Sequence, residues 1–180
     1  MKRLNANSLS SALLAVLAGA SAAPAARAQH DHAQHAPYAG QQQRAVKSLS
    51  DPQLADLRAG RGMSMALPAE LNGYPGPSHT LELAQPLGLT PQQRARTEAL
   101  FAQMQLEARA AGAVWIDAES ALYRLFSERA ATPEALRAAT AAAAQAQGRL
   151  RETHLRYHLA MLEVLTPEQV AAYNRLRGYR

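Results

Sequence analysis

The 180-residue sequence contains no cysteine. That excludes disulfides, thiol nucleophiles, Cys-x-x-Cys-His haem attachment and a lipid-bearing N-terminal cysteine. Aromatic residues are few, with two Phe, one Trp and six Tyr. Alanine is abundant instead, and the combination favours closely packed helices over a thick core. Neither a phosphate loop nor a dinucleotide fingerprint is present. A zinc-protease H-E-x-x-H is missing, because Leu155 follows His154. A di-iron Glu-x-x-His is missing too, because Leu155 stands three places after Glu152. Serines lie in the first residues, at helix caps, in the segments before the long helices or, as Ser120 and Ser127, in the first long helix, with no His/Asp constellation around them. No catalytic residue is assigned, and the chain reads as a non-enzyme. Long apolar runs are also lacking. Residues 8–23 carry no charge but are too short and too Ala-rich for a membrane span.

That short run has a different use. Lys2 and Arg3 precede it, and Ala26-Arg27-Ala28 follows with the small-x-small pattern of a signal-peptidase site. Residues 1–28 therefore read as a signal peptide, with Gln29 as the mature N-terminus and the periplasm as the destination. The leader takes Lys2, Arg3 and Arg27 with it, so of 19 basic residues 16 remain against 14 acidic ones. A net charge of +2, without a basic stripe or interleaved aromatics, gives no footprint for nucleic acid. After processing no integral membrane segment is expected.

The mature part divides into three zones. Residues 29–46 carry His30, Asp31, His32, His35 and Gln41-Gln42-Gln43 with no apolar period, and read as a disordered His/Gln-rich tail. Residues 47–88 read as short helices broken by Gly and Pro. Ser50-Asp51-Pro52-Gln53 has the form of a capping box, and Gly60 and Gly62 close that piece. Residues 63–71 and 78–84 allow two more short helices around the rigid connector Asn72-Gly73-Tyr74-Pro75-Gly76-Pro77. Residues 89–180 carry most of the information. Leu89-Thr90-Pro91-Gln92-Gln93 recurs as Leu165-Thr166-Pro167-Glu168-Gln169. Thr is an N-cap, Pro fits the first helical position, and Gln at the third reaches back to the N–H of the cap. Thr132-Pro133-Glu134 is a third helix start, without the Gln.

Two long helices follow, over residues 91 to about 130 and 133 to about 164. In the first, Phe101, Met104, Ala108, Ala111, Trp115, Ala118, Leu122 and Leu125 recur at steps of three and four. In the second, Leu136, Thr140, Ala143, Gln147, Leu150, His154, Tyr157 and Met161 do the same. These are seams along which one helix lies on another. The short break between them requires an antiparallel hairpin in which residue i faces roughly residue 262 − i. Trp115 then meets the alanines of residues 141–146, and a last short helix folds back from residue 167. The fold class is all-α: a long antiparallel hairpin with short flanking helices. Because one hairpin cannot bury both seams, a homodimer or a cover from residues 47–88 is expected.

His154 and His158 stand four apart on one helix face, within reach of one metal ion. The hairpin register brings Met104 and Glu107 near them, and Met161 lies a turn beyond. A His/His/Glu or His/His/Met set suits zinc, nickel, cobalt or copper. The plainer reading is that both histidines edge the seam and bind nothing. His30, His32 and His35 form a second, weaker transition-metal candidate in the tail. His79 receives no role. No cofactor is required by any motif; a transition metal is the one candidate.

The paired L-T-P-x-Q motifs resemble those of the periplasmic Spy/CpxP family, whose shared pattern is L-T-x-x-Q. The segment from Arg151 through His154 and His158 to Tyr179, and the connector Ala69–Pro77, resemble its metal-associated branch, that of ZraP and CnrX. The resemblance spans about residues 44–179. It implies a helical cradle, often dimeric, that holds unfolding client proteins without ATP, restrains a sensor kinase, or links bound metal to signalling. His154 matches the C-terminal His of the metal-binding helix, and His158 stands where CnrX carries Met. The N-terminal H-x-x-x-H of CnrX has no counterpart, since His32 and His35 are spaced differently. There is no membrane anchor either, which favours a chaperone or metal-binding modulator over a membrane-bound sensor.

Overall fold

The computed structural model describes residues 37–179. The chain divides into two units, residues 1–37 and 38–180, and the helical fold is that of the second. The expected signal peptide and His30, His32 and His35 lie outside the described residues. Among the described residues six α-helices follow in order: α1 (Asp51–Ala59), α2 (Leu67–Glu70), α3 (Pro77–Glu82), α4 (Pro91–Ser127), α5 (Pro133–Met161) and α6 (Pro167–Leu176). Among the described residues there is no strand, and the all-α hairpin expected from the seams is what α4 and α5 form.

The helix starts follow from their caps. At α1, α4 and α6 the hydroxyls of Ser50, Thr90 and Thr166 accept the N–H three residues on, and the Gln at that third position accepts the N–H of the cap. Each box satisfies two of the N–H groups that a helix start leaves without partners. The ends were harder to foresee. α4 stops at Ser127 rather than near residue 130, with Arg129 in the left-handed region at φ 54°. The N–H of Arg129 donates to the carbonyl of Phe126 and that of Ala130 to the carbonyl of Leu125, which is a Schellman closure made without glycine. α5 stops at Met161, where the N–H groups of Val164 and Leu165 both turn back onto its carbonyl.

The core lies where α1 crosses the hairpin. Val46, Leu49, Leu54, Leu57, Ala108, Trp115, Ala146 and Leu150 pack together there. The cover expected from residues 47–88 is thus present, and it starts earlier. Gln41–Gln43 form a 3-10 turn and Val46 is buried, so the ordered fold reaches into the segment read as tail. Two small residues set how closely α1 approaches. A Cβ at Gly60 would stand 2.7 Å from the carbonyl oxygen of Gln105, and one at Gly112 would stand 3.0 Å from that of Leu57.

The α4 seam is as expected, with Met104, Ala108 and Trp115 buried and none of its eight members fully exposed. The α5 seam needs correction. Ala143, Leu150, His154, Tyr157 and Met161 are buried, but Leu136, Thr140 and Gln147 are exposed, and Ala146 takes the inner place beside Trp115. A strict heptad drifts from the 3.6-residue period of a straight helix, so a seam read over four heptads slips by a residue. Leu136 and Thr140 lie near the hairpin tip, beyond the reach of α1.

Candidate metal-binding pocket

The base of the hairpin holds a cavity of about 670 Å³ that is open to solvent on one side. α5 supplies His154 and His158, α4 supplies Phe101, Met104 and Arg109, and the loop after α1 supplies Met63. α2 ends in Glu70, α3 adds His79, and Arg177 and Tyr179 close the floor.

Glu70 is the hub of that floor. It is 5% exposed, and a carboxylate so buried requires partners. Its Oε1 accepts from the hydroxyls of Tyr173 at 2.5 Å and Tyr179 at 3.1 Å, meets His79 Nδ1 at 3.1 Å, and lies 3.5 Å from Arg177 Nε. Burial, and then the carboxylate beside it, pushes the Tyr173 phenol up, so it stays a donor. Glu70 Oε2 has no hydrogen bond and stands 3.7 Å from His158 Nδ1.

The two histidines are poised differently. His158 Nδ1 lies 2.7 Å from the carbonyl oxygen of Tyr74, which only accepts, so the proton sits on Nδ1. The lone pair of a neutral His158 is therefore on Nε2. His154 is 3% exposed, and its buried Nε2 has no partner. Burial, and then the neighbouring His158, holds the His154 imidazole below its usual range, which keeps it neutral and able to donate a lone pair. Gly76 lets His158 and Glu70 come together. A Cβ there would stand 2.8 Å from His158 Cε1 and 3.5 Å from Glu70 Oε2.

Of the set expected from sequence, His154, His158 and Met104 line the cavity. Glu107 does not: it pairs with Arg156 and accepts from Gln103 Nε2 at 2.9 Å. Its rotation away follows from the position of Arg156, which claims the carboxylate across the hairpin. Met161 is fully buried and is absent from the cavity wall. Glu70, His79, Met63, Tyr173, Arg177 and Tyr179 were not anticipated. The signals for Glu70 were its place beside the Pro-Gly-Pro connector and the resemblance of Ala69–Pro77 to the metal-associated branch. Among the described residues no three of His, Asp and Glu form a ready metal-holding group.

The motif residues form a separate clasp beside this floor. Leu165 is buried and Leu89 half-buried, while Thr90 and Thr166 serve as caps. Gln93 Nε2 donates to Gln169 Oε1 at 2.7 Å, and Gln169 Nε2 donates to Gln93 Oε1 at 3.1 Å. Each amide also donates to a carbonyl just before the other motif's helix, Gln93 to Val164 and Gln169 to Leu87. With the cap N–H groups accepted as well, both amides use two donors and two lone pairs, their full capacity. No helix among the described residues is long and apolar enough to cross a membrane. No protein-family model, curated protein or solved structure matches the chain, so its reading rests on the residues described above.

Proposed function

We propose that this chain is an exported, metal-responsive helical protein that holds a transition-metal ion between His154 and His158. The carrying observation is that His154, whose buried Nε2 has no partner, lines the same cavity as His158. An orphaned imidazole nitrogen costs free energy unless it acts as a ligand or finds another partner. Glu70 supplies negative charge from α2, its free Oε2 standing 3.7 Å from His158 Nδ1 and adding a hard donor. Residues 1–28 direct the chain to the periplasm, where the resemblance to the metal-associated Spy/CpxP branch supports a signalling partner such as a sensor kinase. Calorimetric titration of the chain from Gln29 with Zn, Cu, Ni and Co tests the site. Micromolar or tighter binding should vanish in the His154→Ala, His158→Ala variant. Binding that survives there belongs to His30, His32 and His35 instead.

A client-holding role has its own support. Leu106 is 62% and Leu159 58% exposed, and Leu162 and Phe126 are also open to solvent. Exposed apolar side chains of this size offer grip to an unfolding protein. Suppression of client aggregation without ATP at near-stoichiometric protein is the expected result, and a Leu106→Ser, Leu159→Ser variant should lose it. Normal aggregation of several clients would overturn this role.

A further inference from the structure

We infer that the ion this cavity selects is monovalent copper, held by the two imidazoles together with the thioethers of Met63 and Met104. The inference rests on the metal reading above and names its ligand class.

Two methionines line the cavity beside His154 and His158, buried Met104 and half-buried Met63. Thioethers are soft, weakly basic ligands that favour Cu(I) and contribute little to zinc or nickel. Neutral imidazole accepts both classes of ion, so the sulfurs decide between them. Against these two soft donors the same wall sets one hard one, Oε2 of Glu70, because Oε1 holds Tyr173, Tyr179 and His79.

The loop that carries Met63 points the same way. The N–H of Met65 donates to the carbonyl of Gly62 at 2.8 Å, closing a tight turn with Met63 at φ 47° and Ser64 at φ 62°. Two successive left-handed residues are the province of Asn and Gly, and a long unbranched side chain gains nothing there. Backbone held in such a region is a mark of sites where a side chain has another task. A sulfur delivered to the cavity wall is such a task.

Cu(I), generated under anaerobic reducing conditions and set against a chromophoric Cu(I) chelator, is the probe, with Zn(II) titrated in parallel. The chain from Gln29 should bind Cu(I) more tightly than Zn(II), and X-ray absorption should find sulfur in the first shell of the copper. Met104→Leu should weaken Cu(I) by about tenfold or more, ~1.4 kcal/mol, and leave Zn(II) within a few-fold. Met63→Gly relieves the turn but removes the packing of Met63 against the core, so its urea midpoint is measured alongside; it should weaken Cu(I) in the same way. Copper without sulfur in its shell, or affinity for Cu(I) unchanged in both variants, would overturn the copper assignment while zinc binding still upheld the site. Absence of binding by either ion would sink the site itself.

Discussion

At the scale of single residues, Glu70 concentrates the most interaction in the least space. Its one oxygen joins α2 to α3, to α6 and to the last residues described. Glu70→Gln keeps an acceptor but loses the charge, and it directs an amide N–H₂ toward groups that donate. Hydrogen bonds to a charged group are worth ~1.5–3 kcal/mol each, so the variant should unfold at clearly lower urea, by ~2 kcal/mol or more. An unchanged midpoint would mean that the floor is not stabilising. His154 sets a pH dependence of the same sign as a paired carboxylate, with stability lost as pH falls, but in the range below the ordinary imidazole value. Its folded value lies below the 6.5 of the unfolded chain, because burial and then His158 oppose the charge. The unfolded state therefore takes up the proton first as pH falls. Stability from this group is complete above 6.5 and is lost as pH drops through the lowered folded value. Urea midpoints at pH 7.5, 6 and 5 should show that slope, and His154→Leu should flatten it. None of this was visible in sequence, because the partners of Glu70 lie 103 and 109 residues away.

At the scale of elements, what was legible was local. Ser50, Thr90, Thr132 and Thr166 each announced a helix within four residues, and each start is where the cap put it. Ends depend on less local chemistry. Arg129 adopts a dihedral that no rule assigns to Arg, so α4 looked longer than it is. The register of the hairpin was legible from its short link, and the Glu107–Arg156 pair agrees with it, but that same pair removed Glu107 from the site. The two L-T-P-x-Q motifs explained each helix separately; that each also completes the other required the structure. A double-mutant cycle on Gln93→Ala and Gln169→Ala checks this. Two mutual hydrogen bonds between saturated amides predict a coupling of ~1–2 kcal/mol. A coupling near zero would reduce the motifs to independent caps.

At the scale of the molecule, the hairpin is unevenly clothed. It carries α1, α2 and α3, is tied to α6 by the Gln93–Gln169 amides, and is covered as far as Lys47, whose ammonium lies 5.2 Å from the Tyr123 ring. Beyond it, residues 128–134 are exposed throughout and α5 is nearly bare up to Ala143. Regions with few buried contacts open at low cost. Amide exchange should therefore be fast over residues 124–140 and slow over 97–115 and 150–161. Strong protection of the tip in solution would show that a second copy of the chain, as a dimeric cradle requires, covers it.

The same uneven clothing orders events in time. Contacts next to the link of residues 128–132 join positions close in sequence, so closing them costs the least chain entropy. The cavity floor joins Glu70 to Tyr179 and is the most costly closure. The hairpin can therefore zip from its tip before the floor exists, and the histidines acquire their surroundings only at the end. An ion that needs the finished floor finds no foothold in the transition state. It would leave the refolding rate untouched and lengthen the lifetime of the folded protein instead, acting as a late latch.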